Sequence, residues 1–223
     1  DTDYRRGREA LIASEYRPRS WAVLGEEIGA QIKDWFSATD TPSAQPPHPE
    51  LGRYYWIHRV EDTAIYPGLV AAEIFRTGQG WWQPDDWGVW TKPSGGSLTL
   101  NLDQADGRLK LYIGLLGLGS KDIEFLISLG GATVKTGNLT RSETLWISLS
   151  LEPDQYASGA VTVGIWGSEI EDFATTTNDV DTRVVSVGVI GFMICREQDY
   201  AARVAFNEAL TLKELPALAA SRT

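Results

Sequence analysis

Cysteine and histidine are almost absent from this chain of 223 residues. Cys195 is the only cysteine, so no disulfide can form within the chain. The reducing cytoplasm is the simplest location that fits such a composition. The two histidines, His48 and His58, belong to no cluster of metal-ligating residues. We therefore expect no zinc site and, as the favoured interpretation, no cofactor.

Positive charge is also scarce. The chain has 20 lysines and arginines against 30 aspartates and glutamates, which gives a net charge of −10 and a pI near 4.7. A chain of this charge is repelled by phosphate backbones and by anionic lipid surfaces. We therefore expect no nucleic acid as a partner.

Long hydrophobic runs are missing. The most apolar run, Val184 to Cys195, has 12 residues, whereas a membrane-spanning helix needs about 20. We expect no membrane span and interpret the run as a strand that is buried on both faces. The chain opens on Asp1 with neither methionine nor the apolar segment of a signal peptide. We expect it to be a piece of a longer protein.

Common catalytic motifs are absent as well: the sequence contains no G-x-S-x-G, no GxxxxGK[ST] and no GxGxxG. Asp179-Val180-Asp181 has the D-x-D form that some sugar-nucleotide transferases use to hold a divalent ion, but it lies in a polar loop without an α/β setting. Local pairing of Asp181 with Arg183 is the favoured interpretation, and a structural Ca²⁺ in this loop is the lesser alternative. No catalytic residue is predicted, and enzymatic activity stays open.

The hydrophobic period changes along the chain and predicts its organisation. Residues 1–38 carry a helical stripe, including Trp21, Leu24 and Ile28. Residues 39–51 are rich in proline and predict a linker. Across residues 52–214, short runs of alternating apolar and polar residues are separated by glycine and proline turns, and residues 215–223 form a tail. We predict a mainly β fold: an antiparallel, jelly-roll-like β-sandwich of about ten strands, preceded by one or two N-terminal helices.

Tryptophan is abundant, and four of the nine lie between Gly80 and Trp90. Aromatic faces stack on the C–H faces of sugar rings, while carboxylates and amides bond the sugar hydroxyls. We predict a carbohydrate-binding site with these members: Trp82, Gln83, Asp85, Asp86, Trp87 and Trp90. The alternative interpretation is that the tryptophans cap the open end of the sandwich core.

Two further tryptophans, Trp146 and Trp166, fall on the polar phase of their strands. A tryptophan on a nominally exposed face marks a binding face or an interface, or it is covered by a helix or a loop. We add Trp166 to the predicted carbohydrate-binding site.

Two stretches resemble parts of bacterial polysaccharide glycosyltransferases. Glu15 to Trp21, with the amphipathic helix that follows, resembles the C-terminal end of GT-B enzymes of the retaining, GT4-like group. Gly80 to Trp90, followed by Leu-rich strands and by Asp181, Arg183 and Gly188, resembles a β-sandwich domain appended to such enzymes. The chain departs from that pattern in having aspartate where glutamate is expected and Lys92-Pro93 after Trp90.

The resemblance implies a non-catalytic module that binds a polysaccharide or oligosaccharide, or organises the acceptor, for an upstream glycosyltransferase domain. Such a module would lie in the cytoplasm, at the inner face of the membrane. Two alternatives stay open: a structural oligomerisation or docking domain without sugar affinity, which would form a homo-oligomer, and a β-sandwich glycan hydrolase or lyase whose carboxylates come from distant strands.

Overall fold

A computed structural model describes residues 47–58, 72–176 and 181–215. The chain divides into two compact units, and all described residues belong to the second, Pro46–Thr223. The predicted N-terminal helices lie outside the described residues, and the predicted domain bounds stay a prediction. None of the described helices has the length and apolar character that crossing a bilayer requires.

The described residues contain twelve strands, every one paired antiparallel. They are β1 (Arg53–Trp56), β2 (Arg76–Thr77), β3 (Val89–Trp90), β4 (Gly96–Asn101), β5 (Leu109–Leu116), β6 (Ile123–Leu129), β7 (Ala132–Leu139), β8 (Thr144–Leu151), β9 (Ala160–Gly167), β10 (Glu171–Asp172), β11 (Val184–Val185) and β12 (Gly188–Arg196).

The strands form two five-stranded sheets that enclose one core. Sheet A has the order β1-β12-β5-β8, with β3 also paired to β12, and sheet B has the order β2-β4-β9-β6-β7. Strands β10 and β11 form a separate pair. Side chains from both sheets belong to a single hydrophobic cluster. The predicted antiparallel β-sandwich is therefore confirmed.

Alternation along the strands decides which side chains enter this core. Leu111 of β5 and Val163 of β9 are fully buried, whereas their neighbours Lys110 and Thr162 point away from the core. Each large apolar side chain removed from water in this way stabilises the fold by about 1.5–3 kcal/mol. The period-2 pattern of the sequence is the direct cause of the two inner faces.

The helices are few and short, apart from one at the C-terminal end of the described residues. Helix α1 spans Phe173–Thr176, and short 3-10 helices span Ala72–Phe75 and Pro153–Tyr156. Helix α2 spans Tyr200–Leu212 and begins behind Asp199, whose carboxylate accepts a hydrogen bond from the Ala202 N–H at 3.0 Å. This cap satisfies one of the free amides of the first helical turn. The sequence interpretation did not predict α2.

Helix α2 covers the outer face of sheet A. Its buried side, which includes Ala202 and Phe206, packs on Met193 and Cys195 of β12 and forms a second hydrophobic cluster. Both faces of β12 are therefore buried, as predicted for the apolar run Val184 to Cys195. The prediction that this run is one strand was wrong, because Val184–Val185 belong to β11, which pairs with β10, and β12 begins at Gly188. Trp146 of β8 belongs to the same surface, and its ring lies 5.2 Å from that of Phe206. Helix α2 therefore covers Trp146, which was one of the two alternatives for this residue.

The outer face of sheet B carries no helix within the described part of the chain. Threonine hydroxyls cross β2, β4 and β9 on this face: the Oγ1 of Thr99 lies 2.9 Å from that of Thr77 and 3.4 Å from that of Thr162. The two sheets therefore differ, because one outer face is covered and the other is open.

Burial in the second hydrophobic cluster predicts that Cys195 reacts slowly. Its thiol is fully buried, and burial raises the pKa of Cys195 to about 11, so little thiolate is present at mildly alkaline pH. We expect slow labelling by a maleimide in the native protein. Phe206→Ala should lower the free energy of unfolding by about 3–5 kcal/mol and accelerate the labelling.

Val204→Ala is the matched control, because Val204 lies on the same helix but is 53% exposed. It should leave the labelling rate unchanged. Equal labelling rates in native and urea-unfolded protein would contradict the packing of α2 on sheet A.

Candidate functional site

The four tryptophans between Gly80 and Trp90 divide into a buried pair and a half-buried pair. Trp81 and Trp90 are each 8% exposed and belong to the main core. The Nε1 of Trp81 donates to the carbonyl oxygens of Thr77 and Ser97 at 3.2 and 3.1 Å. These two rings have the role that the core-capping interpretation gives them. Trp82 and Trp87 are half-buried and reach the surface.

Contacts on several sides fix Trp82. Its backbone N–H donates to the Trp90 carbonyl at 3.0 Å, and its own carbonyl accepts from the Nη1 of Arg76 at 3.0 Å. Its indole Nε1 donates to the Val184 carbonyl at 2.8 Å. The Nζ of Lys92 lies 5.1 Å from the ring centroid. The ring is therefore held in place before any ligand arrives, which is what a rigid binding surface requires.

A cleft of about 520 Å³ opens beside Trp82. Its volume falls within the range of small-molecule sites. Gln83 is exposed at the cleft and offers an amide with both donors and an acceptor. The lining residues are Arg76, Gly78, Trp81, Trp82, Gln83 and Lys92.

The other predicted residues of this segment do not line the cleft. The Trp87 ring lies against Gly188 and 5.0 Å from the ring of Trp90 in an edge-to-face contact. The carboxylate of Asp85 pairs with the Nη1 of Arg183 at 3.0 Å. Asp86 is exposed. The structure thus brings Trp82 and Gln83 together at one surface, whereas Asp85 is bound to Arg183 outside the cleft.

Arg183 bridges the tryptophan segment to the loop before β11. Besides its bond to Asp85, it donates from Nε to Asp181 Oδ1 at 3.0 Å and from Nη2 to Asp181 Oδ2 at 2.7 Å. These hydrogen bonds hold the pKa of Asp181 below its ordinary value. The local pairing predicted for the D-x-D pattern is therefore confirmed for Asp181, while Asp179 lies outside the described residues. No group of three or more His, Cys, Asp or Glu side chains within the described ranges is placed to hold a metal ion.

Trp166 provides a second aromatic surface, on the open face of sheet B. Its indole lies across two glycines: a methyl group built on Gly164 would come within 2.1 Å of the ring, and one built on Gly95 within 2.2 Å. The Nε1 donates to the Ser94 carbonyl at 2.9 Å. Trp166 is half-buried, so part of its ring reaches solvent.

A second cleft, of about 540 Å³, surrounds Trp166. Leu126 of β6 is directly opposite Trp166 in the sheet, and Thr136 of β7 is opposite Leu126. Glu124 and Asn138 form the next pair along the same two strands and line the same cleft. The cleft therefore combines an aromatic surface with hydroxyl, amide and carboxylate groups, which are the partners of sugar hydroxyls.

One short loop, residues 92–95, connects the two aromatic surfaces. Lys92 at its start lies over Trp82, and Ser94 and Gly95 at its end hold Trp166. The backbone N–H of Lys92 donates to the Gly80 carbonyl at 2.8 Å, which anchors the loop. Sequence reasoning did not include Lys92 in the site. The only signal was that Lys92-Pro93 departs from the pattern of the resembled sandwich domain.

Comparison with known proteins gives matches only among solved structures. No protein-family model matches the chain, and no curated protein matches it. The carbohydrate-binding module CBM36 in complex with calcium and xylotriose is similar over 53% of this chain and 91% of its own, at 14% identity and a TM-score of 0.35.

Two further similar structures are also carbohydrate-binding modules or contain one. A family 35 module from an environmental isolate is similar over 55% of this chain and 77% of its own, at 11% identity and a TM-score of 0.31. The CBM22-1–GH10 modules of Clostridium thermocellum xylanase 10B, complexed with xylohexaose, match 66% of this chain and 29% of theirs, at 13% identity and a TM-score of 0.37. We therefore infer the function from the geometry of the site itself.

The Arg183 bridge predicts a stability that depends on pH. Arg183→Met removes hydrogen bonds to two carboxylates and should lower the free energy of unfolding by about 1–3 kcal/mol at neutral pH. Because the pKa of Asp181 is lower in the folded protein than in the unfolded chain, this contribution is present above the ordinary pKa of about 3.9 and is lost as pH falls through the folded value. Urea unfolding at neutral pH and at about pH 3 measures the difference.

Arg141→Met is the control for this measurement, since Arg141 is an exposed arginine on a different loop. Its substitution should leave the urea midpoint unchanged at both pH values. A neutral-pH midpoint of Arg183→Met equal to that of the wild type would contradict the structural role of the bridge.

Proposed function

We propose that this chain is a carbohydrate-binding module that binds an oligosaccharide segment along the open outer face of sheet B. The observation that carries this proposal is the placement of Trp166, whose half-buried ring lies on two glycines and lines a cleft. The Trp82 cleft adds a second half-buried ring on the other side of loop 92–95. A glycan chain contacts both rings when it runs across this loop.

The chemistry of the two surfaces suits a sugar better than an apolar ligand. A pyranose has C–H faces that stack on an indole and equatorial hydroxyls that need hydrogen-bond partners. Gln83 supplies partners at one ring, and Glu124, Asn138 and Ser168 supply them at the other. Both indoles are fixed by hydrogen bonds to backbone carbonyls, so little side-chain entropy is lost when a ligand binds.

Only some of the residues that the sequence predicted for the site contact the glycan in this proposal. Trp82, Gln83 and Trp166 are the contact residues. Trp90 stabilises the core instead, and Asp85 is engaged by Arg183. Asp181 is not assigned a metal-binding role, because both of its carboxylate oxygens accept hydrogen bonds from Arg183.

Substitution of the two contact tryptophans tests the proposed function. Trp166→Ala and Trp82→Ala should each weaken binding about tenfold or more, since each removes one stacking surface. Isothermal titration calorimetry against a panel of bacterial polysaccharide fragments measures the affinity. Urea unfolding of each variant checks that the fold is retained.

Trp146→Ala is the matched control for these variants. Trp146 also lies over a strand glycine, Gly114, but it is packed beneath α2 on sheet A. Its loss should lower stability and leave the affinity unchanged. A flat response of the wild type across the whole panel would instead favour a structural docking domain without sugar affinity.

We further propose that the parent protein is a bacterial polysaccharide glycosyltransferase and that the module works in the cytoplasm, at the inner face of the membrane. Support comes from the resemblance of residues 15–21 and 80–90 to segments of such enzymes. The coding sequence upstream of Asp1 tests this directly. We expect it to encode a GT-B catalytic domain, and an upstream domain of another class would contradict the proposed parent.

A further inference from the structure

We propose that the Trp82 cleft binds an acidic sugar and that Lys92 recognises its carboxylate. This inference rests on the proposed function and names the ligand class of one of its two surfaces. It starts from the polarity of the cleft. In a chain of net charge −10, the described residues that line this cleft include a lysine and an arginine and no aspartate or glutamate.

The contacts of Lys92 distinguish it from the cations that have structural ion pairs. Arg108, Lys110 and Lys121 all lie within 4 Å of a carboxylate. Lys92 belongs to no ion pair among the described residues, and its ammonium instead lies over the Trp82 ring. An ammonium that contacts only an aromatic face keeps its donors available for an anionic ligand.

The second cation of the cleft is fixed rather than mobile. The guanidinium of Arg76 donates to the Trp82 carbonyl and lies 5.8 Å from the centroid of Trp81. The guanidinium is therefore held at a constant position, while the long stem of Lys92 allows its ammonium to follow the ligand. Gln83 completes the cleft with a neutral amide that can bond the hydroxyls.

The Trp166 cleft has the opposite polarity. Within the ranges that the structure describes, its lining contains Glu124 and no lysine or arginine. A carboxylate-bearing sugar is disfavoured there, because the like charge of Glu124 repels it, and a neutral sugar is accepted. The two clefts together fit a polymer that carries both kinds of residue, with the uronic acid placed over Trp82.

The step at Lys92 involves no covalent chemistry. A pyranose that stacks on Trp82 takes the position over the ring that the ammonium holds in the free protein, and the ammonium moves to the ring substituent. A cation over an exposed aromatic face is only weakly held. An ion pair with a carboxylate replaces that contact, whereas a neutral hydroxymethyl group in the same position replaces it less well.

Titration with matched pairs of oligosaccharides tests the inference. The probes are oligomers of galacturonate, of mannuronate and of the glucuronate-containing repeat of hyaluronan, each beside its carboxyl-reduced form. We expect at least one acidic oligomer to bind about tenfold more tightly than its reduced form. Lys92→Gln should abolish this preference, so that the affinities for the acidic and the reduced form differ by less than about twofold.

Lys135→Gln is the control, because it removes the same charge from an exposed lysine on β7 and should leave the preference intact. Equal affinity for acidic and reduced oligomers, or a preference that survives Lys92→Gln, overturns the inference while the proposed function stands. Absence of binding by every oligomer, acidic or reduced, overturns the inference and counts against the proposed function as well.

Discussion

Close packing of tryptophan rings on strand glycines is the contact on which both the core and the candidate site depend. Four indoles lie where a methyl group on the facing glycine would come within 2.8 Å of the ring or closer. Only glycine leaves room for such an approach. The pairs are Trp81 with Gly96, Trp87 with Gly188, Trp146 with Gly114, and Trp166 with Gly164.

What lies above each ring then decides its role. Trp81 belongs to the main core, and Trp146 is packed beneath α2. Trp166 uses the same packing on an outer face that no described helix covers. The packing of an indole on a strand glycine therefore gives a core cap, a contact surface for a helix or an open stacking surface, depending on the side of the sandwich.

The asymmetry between the two sheets follows from their sequences. On sheet A the outward positions of β12 hold Met193 and Cys195, which are apolar and require the cover of α2. On sheet B the outward positions of β4 and β9 hold Thr99 and Thr162, which are compatible with water. Loop 92–95 places Lys92 beside Trp82 and Ser94 beside Trp166, and Trp166 lies on this open face.

The strands were predictable because alternation within a strand is a local property. Strand β7 carries no such signal, since nearly all of its residues are exposed and its edge position leaves no buried period to detect. Helix α2 was missed because its buried side relies on small residues such as Ala202 and Ala209. Which tryptophans are buried and which reach the surface could not be assigned from the sequence. Trp81 and Trp82 are adjacent, yet Trp81 contacts Gly96 and Trp82 donates a hydrogen bond to Val184. Both contacts depend on tertiary packing and not on local sequence.

The most direct test of glycan binding on the open face is an ¹H–¹⁵N NMR titration that follows the indole N–H signals of all nine tryptophans. The titrant is the tightest binder from the panel of polysaccharide fragments. We predict that the signals of Trp82 and Trp166 shift together, with one titration midpoint, while those of Trp81, Trp90 and Trp146 stay in place. Saturable shifts confined to Trp146, or no indole shift with any fragment, would contradict a binding surface on sheet B.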